Sequence, residues 1–331
     1  MDPVLQRRIR RGARISATFT VLVLLALLLF TVEKQTFQVL RQLKPSVIIG
    51  LFFVWGLFVL LDGWRLRLIA QTGRENLSLR RAVEVILVGY FFAAVTPFQT
   101  GGFPFQIIIL RKDRIGPGRA MAYLALRGIL IYGFVYLLTP FMVLRFSQST
   151  ESGIVRLMLH YLILVVLVIA LLGAFVVVRP ARSERLLERF RHRLPAFLYR
   201  ALRFVISEVE EFRLIFGNVL RDPHGRKYFL YATVVSVAAL VVYLSLAPLA
   251  LYGLGVESVN FLTVMGIQVL LMALLLYIPT PGAGGVAEMG GAALFALVCP
   301  KYLLGVYVIL WRFFTFYLLA IAGGILALKE F

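Results

Sequence analysis

Thr96-Pro97-Phe98-Gln99-Thr100-Gly101-Gly102-Phe103-Pro104 and Pro279-Thr280-Pro281-Gly282-Ala283-Gly284-Gly285-Val286-Ala287-Glu288 are distant copies of one another, and each interrupts a long apolar stretch. Proline removes a backbone donor and glycine weakens a helix, so each run breaks a helix and frees backbone N–H and C=O groups. Lipid cannot satisfy those groups. Broken backbone at membrane depth is tolerated where it is buried in protein or lines a polar cavity, and paired breaks in the two halves of a chain point to a transporter-type site.

Working outward from the breaks, the 331-residue chain is 61% apolar with a mean hydropathy of +0.90, far above a soluble domain. Apolar segments at about 15–32, 46–64, 120–144, 157–178, 228–252 and 302–328 are each long enough to span a bilayer. The pairs 82–110 and 261–299 carry the breaks in their middles and read as two re-entrant helical hairpins. The expected fold is therefore an all-α polytopic membrane protein of about six spanning helices plus two hairpins in an inverted repeat. It forms a single transmembrane domain over 1–331: a first half of about 1–178, a linker of about 179–227 and a second half of about 228–331. Within the linker, Leu198, Leu202, Val205, Val209, Phe212 and Phe216 recur at steps of three and four, which predicts an amphipathic helix.

Basic residues are unevenly spread. They crowd certain loops: the N-terminus at Arg7, Arg8, Arg10, Arg11 and Arg14, then Arg65, Arg67, Arg74, Arg80 and Arg81, then Arg111, Lys112, Arg114 and Arg119, and finally the run from Arg179 to Lys227. The positive-inside rule places these on the cytoplasmic side with both termini, and makes the two hairpins enter from opposite faces. The net charge of +19 is then mainly topological, with a positive face suited to anionic lipid. No nucleic-acid-reading motif accompanies it, so nucleic acid is not an expected partner. The single Cys299 excludes an intramolecular disulfide framework. The N-terminal apolar run lacks an A-x-A site and reads as a retained span.

Glu288 is the acidic residue that hydropathy places deepest, directly after a Gly-rich break. A carboxylate there serves one of two ends: it acts directly, binding a cationic headgroup or carrying a proton in a cavity, or it is structural, capping the broken helix or bridging to an arginine. Arg127 and Arg312 fall inside predicted spans and either snorkel to an interface or, with the glycine runs, hold a lipid phosphate. Asp62 and Glu84 sit near segment ends, where interfacial pairing with Arg65 or Arg81 accounts for them. There is no Walker A run and no G-x-S-x-G, and His160, His192 and His224 lack metal-ligand spacing. No cofactor, metal or catalytic activity is expected.

The two break runs, together with Trp311-Arg312-Phe313-Phe314-Thr315-Phe316-Tyr317, resemble the flippase-like membrane domain of lysylphosphatidylglycerol synthases, a domain that also occurs alone in bacteria and archaea. The resemblance implies translocation of an anionic, aminoacylated or polyprenyl-linked lipid between leaflets of the bacterial cytoplasmic (inner) membrane. Membrane lipids would be the partners, and a homo-oligomer is compatible with the sequence. The implied substrate-binding set is Glu288, Arg127, Arg312, Thr96, Pro97, Gln99, Gly101, Gly102, Thr280, Pro281, Gly284 and Gly285. Two departures qualify the transfer. The aminoacyl-transferase domain of the synthases has no counterpart here, so lipid aminoacylation is not implied. Phe103 stands where many relatives carry a polar or acidic residue, which shifts the emphasis to Glu288. The rival readings are an ion-coupled carrier of a small solute using Glu288 as proton site, and a non-transporting membrane scaffold.

Overall fold

The computed structural model describes residues 45–149 and 221–330 apart from Glu257, with isolated positions between 28 and 219. The predicted spans at 15–32 and 157–178, and the amphipathic helix of the linker, lie largely outside the described residues. All regular elements among the described residues are helical. They are α1 (Pro45–Thr72), α2 (Leu79–Ala94), α3 (Gly102–Lys112), α4 (Pro117–Ser149), α5 (Pro223–Gly253), α6 (Phe261–Leu275), α7 (Val286–Phe295), α8 (Lys301–Arg312) and α9 (Leu318–Glu330). A π-turn over Phe313–Tyr317 joins α8 to α9, so Lys301–Glu330 is one continuous rod.

Among the described residues, four helices are long and apolar enough to cross a membrane: α1, Pro117–Phe146 of α4, α5, and the α8–α9 rod. They match four of the six predicted spans. Each exposes an apolar stripe, such as Leu230, Val234, Val237 and Val241 on α5 or Leu137, Phe141 and Leu144 on α4. A helix apolar on its outer as well as its inner face is one whose surroundings are hydrocarbon. Helix α1 runs on to Thr72, past the end of the predicted segment near 64. The charges of Asp62 and Arg65 lower local hydropathy there, but they pair with one another and the helix continues.

The helices associate in antiparallel pairs that cross between the halves. On α1 and α5, a Cβ built on Gly253 would sit 2.2 Å from Val47, the Phe58 and Tyr243 rings are 4.9 Å apart, and His224 Nε2 donates to the Gln71 carbonyl at 3.1 Å. On α2 and α9, Gly323 lies so close to the Leu87 carbonyl that a Cβ would meet it at 1.9 Å, while Arg81 pairs with Glu330. On α4 and α6, Met142 lies against Gly266, and Arg145 donates to Thr263 Oγ1 at 3.3 Å. If α1 is matched to α5, α2 to α6 and α4 to α8–α9, the α2–α9 contact maps onto α6–α4. Matched helices running antiparallel are what an inverted repeat requires.

The breaks turn two of these segments into hairpins. In the first, Phe92 stacks on Phe105 with ring centres 3.3 Å apart, Gly89 faces Gln106, and Arg81 bonds Asp113 at the open end at 2.8 and 3.2 Å. The second, α6 and α7, opens toward the opposite end of the long helices, where Thr263 meets Arg145. The longest arm, α2, has 16 residues. That is about 24 Å of helix, short of the ~30 Å hydrocarbon core. The tips of the two hairpins touch one another.

Two cores result, and the halves share them. One is built from α5–α8 but takes Val135, Val143 and Phe146 from α4. The other is built from α1–α4 but takes Leu319 and Ala327 from α9. Small residues at the crossings allow this close approach, which is how helices associate when lipid supplies no hydrophobic drive.

Candidate functional site

The two breaks adopt the same backbone over their first four residues. Thr96 and Thr280 are extended, with φ −120 and −78° and ψ 146 and 145°. A proline follows, then two left-handed residues: Phe98 and Gln99 at φ 51 and 56°, Gly282 and Ala283 at φ 59 and 54°. Each turn closes with a hydrogen bond back to the proline carbonyl, from Thr100 N at 3.2 Å and from Gly284 N at 3.1 Å. Left-handed geometry at a residue with a side chain stores about 1–3 kcal/mol and is held only where the surroundings over-determine it. The first break carries two such residues and is partly exposed, at Pro97, Phe98 and Thr100; in the second, Gly282–Gly285 are all buried.

Two of the predicted glycines, Gly101 and Gly102, serve close approach. A Cβ on Gly101 would lie 2.5 Å from Thr96 Cγ2 and 2.9 Å from the Phe92 carbonyl, and one on Gly102 would lie 2.8 Å from the Gly89 carbonyl. Thr96 Oγ1 donates to that Phe92 carbonyl at 2.7 Å and accepts from Gly101 N at 2.8 Å, which satisfies groups freed by the break. Gly285 has φ +79° and starts α7. Thr280 Oγ1 donates to the Gly284 carbonyl at 3.3 Å.

Glu288 is wholly buried. At the third position of α7 its Oε2 accepts from Gly285 N at 2.6 Å, one half of a capping box. Its Oε1 accepts from Arg312 Nε at 2.9 Å and from the Tyr317 hydroxyl at 2.8 Å. Arg312 in turn donates from Nη2 to the Gly282 carbonyl at 3.0 Å, and its guanidinium lies 4.2 Å over the Phe316 ring. One arginine thus ties the second break to the last helix. The π-turn makes this possible. Residues five apart on an α-helix point about 140° away from each other. The Leu318 N–H bonds to the Phe313 carbonyl, and this i to i+5 turn brings Arg312 and Tyr317 onto one face.

A second buried carboxylate, Asp62, holds a matching cluster. It pairs with Arg65 on its own helix and with Arg127 of α4, whose Nε donates to Oδ1 at 3.1 Å. The Tyr90 hydroxyl of α2 donates to Oδ2 at 2.9 Å and accepts from Arg127 Nη2 at 3.2 Å.

Three expectations are corrected here. Asp62 is not an interfacial residue: it pairs with Arg65 as expected, but deep in the protein with no exposed surface. Arg65 does not belong to a basic loop, since it sits within α1 and is 2% exposed. Neither arginine of the predicted set snorkels; Arg312 is held by Glu288 and Arg127 by Asp62, because a carboxylate in reach replaces the water each would otherwise seek. The missed signal was Asp62-Gly63-Trp64-Arg65, an acid and a base one turn apart inside an apolar run. Glu84, by contrast, pairs with Arg80 and Arg81 near the open end of the first hairpin, as read from the sequence.

Both clusters border one cavity of about 180 Å³ between the halves. Gln99 of the first break, Gly282 and Ala283 of the second, Arg65, Arg127 and Arg312, and the rings of Tyr90, Tyr132, Tyr243 and Phe316 line it. A single water needs about 10–15 Å³ by this kind of measure, so the space suits a polar group much larger than water. Of the predicted site residues, Gln99, Arg127 and Arg312 reach the wall. Thr96, Pro97, Gly101, Gly102, Thr280, Pro281, Gly284 and Gly285 shape the backbone around it, and Glu288 stands behind Arg312.

Such a fold and site define a polytopic all-α membrane protein with two broken-helix hairpins meeting at an arginine-lined cavity. The chain belongs to the family described as the lysylphosphatidylglycerol synthase TM region, whose profile matches residues 15–323. It is 23% identical over 309 residues to a UPF0104 membrane protein of Archaeoglobus fulgidus, covering 89% of this chain and 90% of that protein. No solved structure matches.

Proposed function

We propose that this protein translocates a lipid between the leaflets of a bacterial cytoplasmic membrane. The headgroup, anionic, aminoacylated or polyprenyl-linked, passes through the cavity while the tails stay in hydrocarbon. The observation that carries this reading is the convergence of both break tips and of Arg65, Arg127 and Arg312 on one cavity. Family membership supports it. The hairpins are read as re-entrant, too short to cross alone. The positive-inside rule puts the end bearing Arg74, Arg81, Lys112, Arg119 and Lys329 in the cytoplasm, and with it the C-terminus and, by the same rule, the Arg-rich N-terminus. The protein is read as a transporter and not an enzyme, with membrane lipid and no nucleic acid as its partner.

Ion-coupled carriage of a small solute would need a carboxylate free to take a proton, whereas Glu288 and Asp62 each accept several hydrogen bonds from charged or backbone donors. A pure scaffold has no use for a cavity that three arginines line. The test is reconstitution into liposomes carrying reporter lipids with differing headgroups, with leaflet-specific quenching. Transfer of at least one reporter above protein-free vesicles is expected, and its absence for the whole panel removes the proposal.

A further inference from the structure

Arg65 is 2% exposed, yet only its Nη2 is used, in the pair with Asp62. Its Nε and Nη1 are buried and have no hydrogen-bond partner, although the side chain lines the cavity. Buried polar groups are nearly always satisfied, and an unsatisfied donor on a charged group carries a large desolvation penalty. Around the cavity, among the described residues, the three guanidiniums of Arg65, Arg127 and Arg312 face only the two carboxylates of Asp62 and Glu288. One positive charge is left without a counterion, and it sits where donors are unused.

Resting on the translocation reading above, we infer that the cavity holds a singly charged phosphate ester, with Arg65 as its direct contact. A guest that brings one negative charge and several acceptor oxygens cancels the excess charge and takes up the idle donors together. A phosphodiester does both. A neutral guest leaves the charge, and a cationic one without a phosphate adds to it. Arg127 and Arg312 are already committed to carboxylates, so they shape the field around the anion while Arg65 grips it.

The test uses the full-length protein in a neutral maltoside detergent and three probes: dioctyl phosphate, a monoanionic diester with two tails; trioctyl phosphate, its neutral triester; and dimethyl phosphate, the same charge without tails. Wild-type protein is expected to bind dioctyl phosphate at least about tenfold more tightly than the triester. Arg65→Gln should weaken dioctyl phosphate binding by about tenfold or more, the loss expected for a charged hydrogen bond, with Arg65→Lys recovering part of it. Asp62 keeps Arg127 and Tyr90 in the Gln variant, which preserves its neutralisation. Equal binding of diester and triester by the wild type overturns the inference even if the variant does not fold. So does unchanged binding by a folded Arg65→Gln protein. Dimethyl phosphate binding as tightly as the dioctyl diester keeps the anion site but assigns it to a free phosphate ester. Dioctyl phosphate binding without transfer of any reporter lipid in liposomes keeps the site and removes the translocation reading.

Discussion

Glu288 carries more of the structure than its position alone suggests. Its two oxygens hold the start of α7, the guanidinium of Arg312 and the hydroxyl of Tyr317, so its charge and its acceptors act together. Glu288→Gln keeps the shape and loses the charge, leaving Arg312 buried and uncompensated. Removing one partner of a buried pair costs about 3–5 kcal/mol, so a large drop in Tm is expected in a detergent melt, together with loss of lipid transfer. The swapped pair Glu288→Arg with Arg312→Glu should recover part of that Tm. Glu288→Arg with Arg127→Glu should not, because Arg127 belongs to Asp62. Equal recovery by both swaps contradicts the two-cluster description.

At the scale of elements, the π-turn and the glycine crossings set the register. Deleting one residue between Phe313 and Phe316 restores α-helical spacing and leaves Arg312 and Tyr317 four positions apart, about 40° from each other and still on one face. Tyr317→Phe should therefore destabilise that background as it does the wild type, by about 1 kcal/mol or more, as a hydrogen bond to a charged group disappears. Loss of the Tyr317→Phe effect in the deletion background argues that the pair depends on the π-turn itself. Gly323→Ala tests the α2–α9 crossing, where the new Cβ would meet the Leu87 carbonyl at 1.9 Å. Backbone cannot yield as a side chain end does, so about 1–3 kcal/mol of destabilisation is expected from chemical denaturation. Gly133→Ala meets nothing within 4 Å and serves as the silent control.

Across the whole molecule, the antiparallel pairing makes a statement about sidedness. The end bearing Arg114 and the end bearing Lys301 should lie on opposite sides of the membrane. Single cysteines at these two positions, in a Cys299→Ser background, are expected to react with an impermeant thiol reagent from opposite sides of oriented vesicles. Labelling from the same side contradicts the inverted repeat.

The sequence by itself determined the membrane class, the four described spans, the two breaks and the glycines at them, because lipid imposes an apolar length and a broken helix needs proline and glycine whatever the neighbours are. It also marked Glu288 as a deeply placed carboxylate and Arg127 and Arg312 as charges inside spans. What it could not assign was pairing. Hydropathy averages over a window and counts a buried Asp62–Arg65 pair as a helix end, so two members of the cavity's charge cluster were read as surface residues. Only the tertiary structure decided that Arg127 reaches across 65 positions to Asp62, that Arg312 reaches back to Glu288 and Gly282, and that a single π-turn aims Tyr317. Such partners are chosen by which helices the inverted repeat brings side by side, and that is set by packing between the halves, not by spacing along either one.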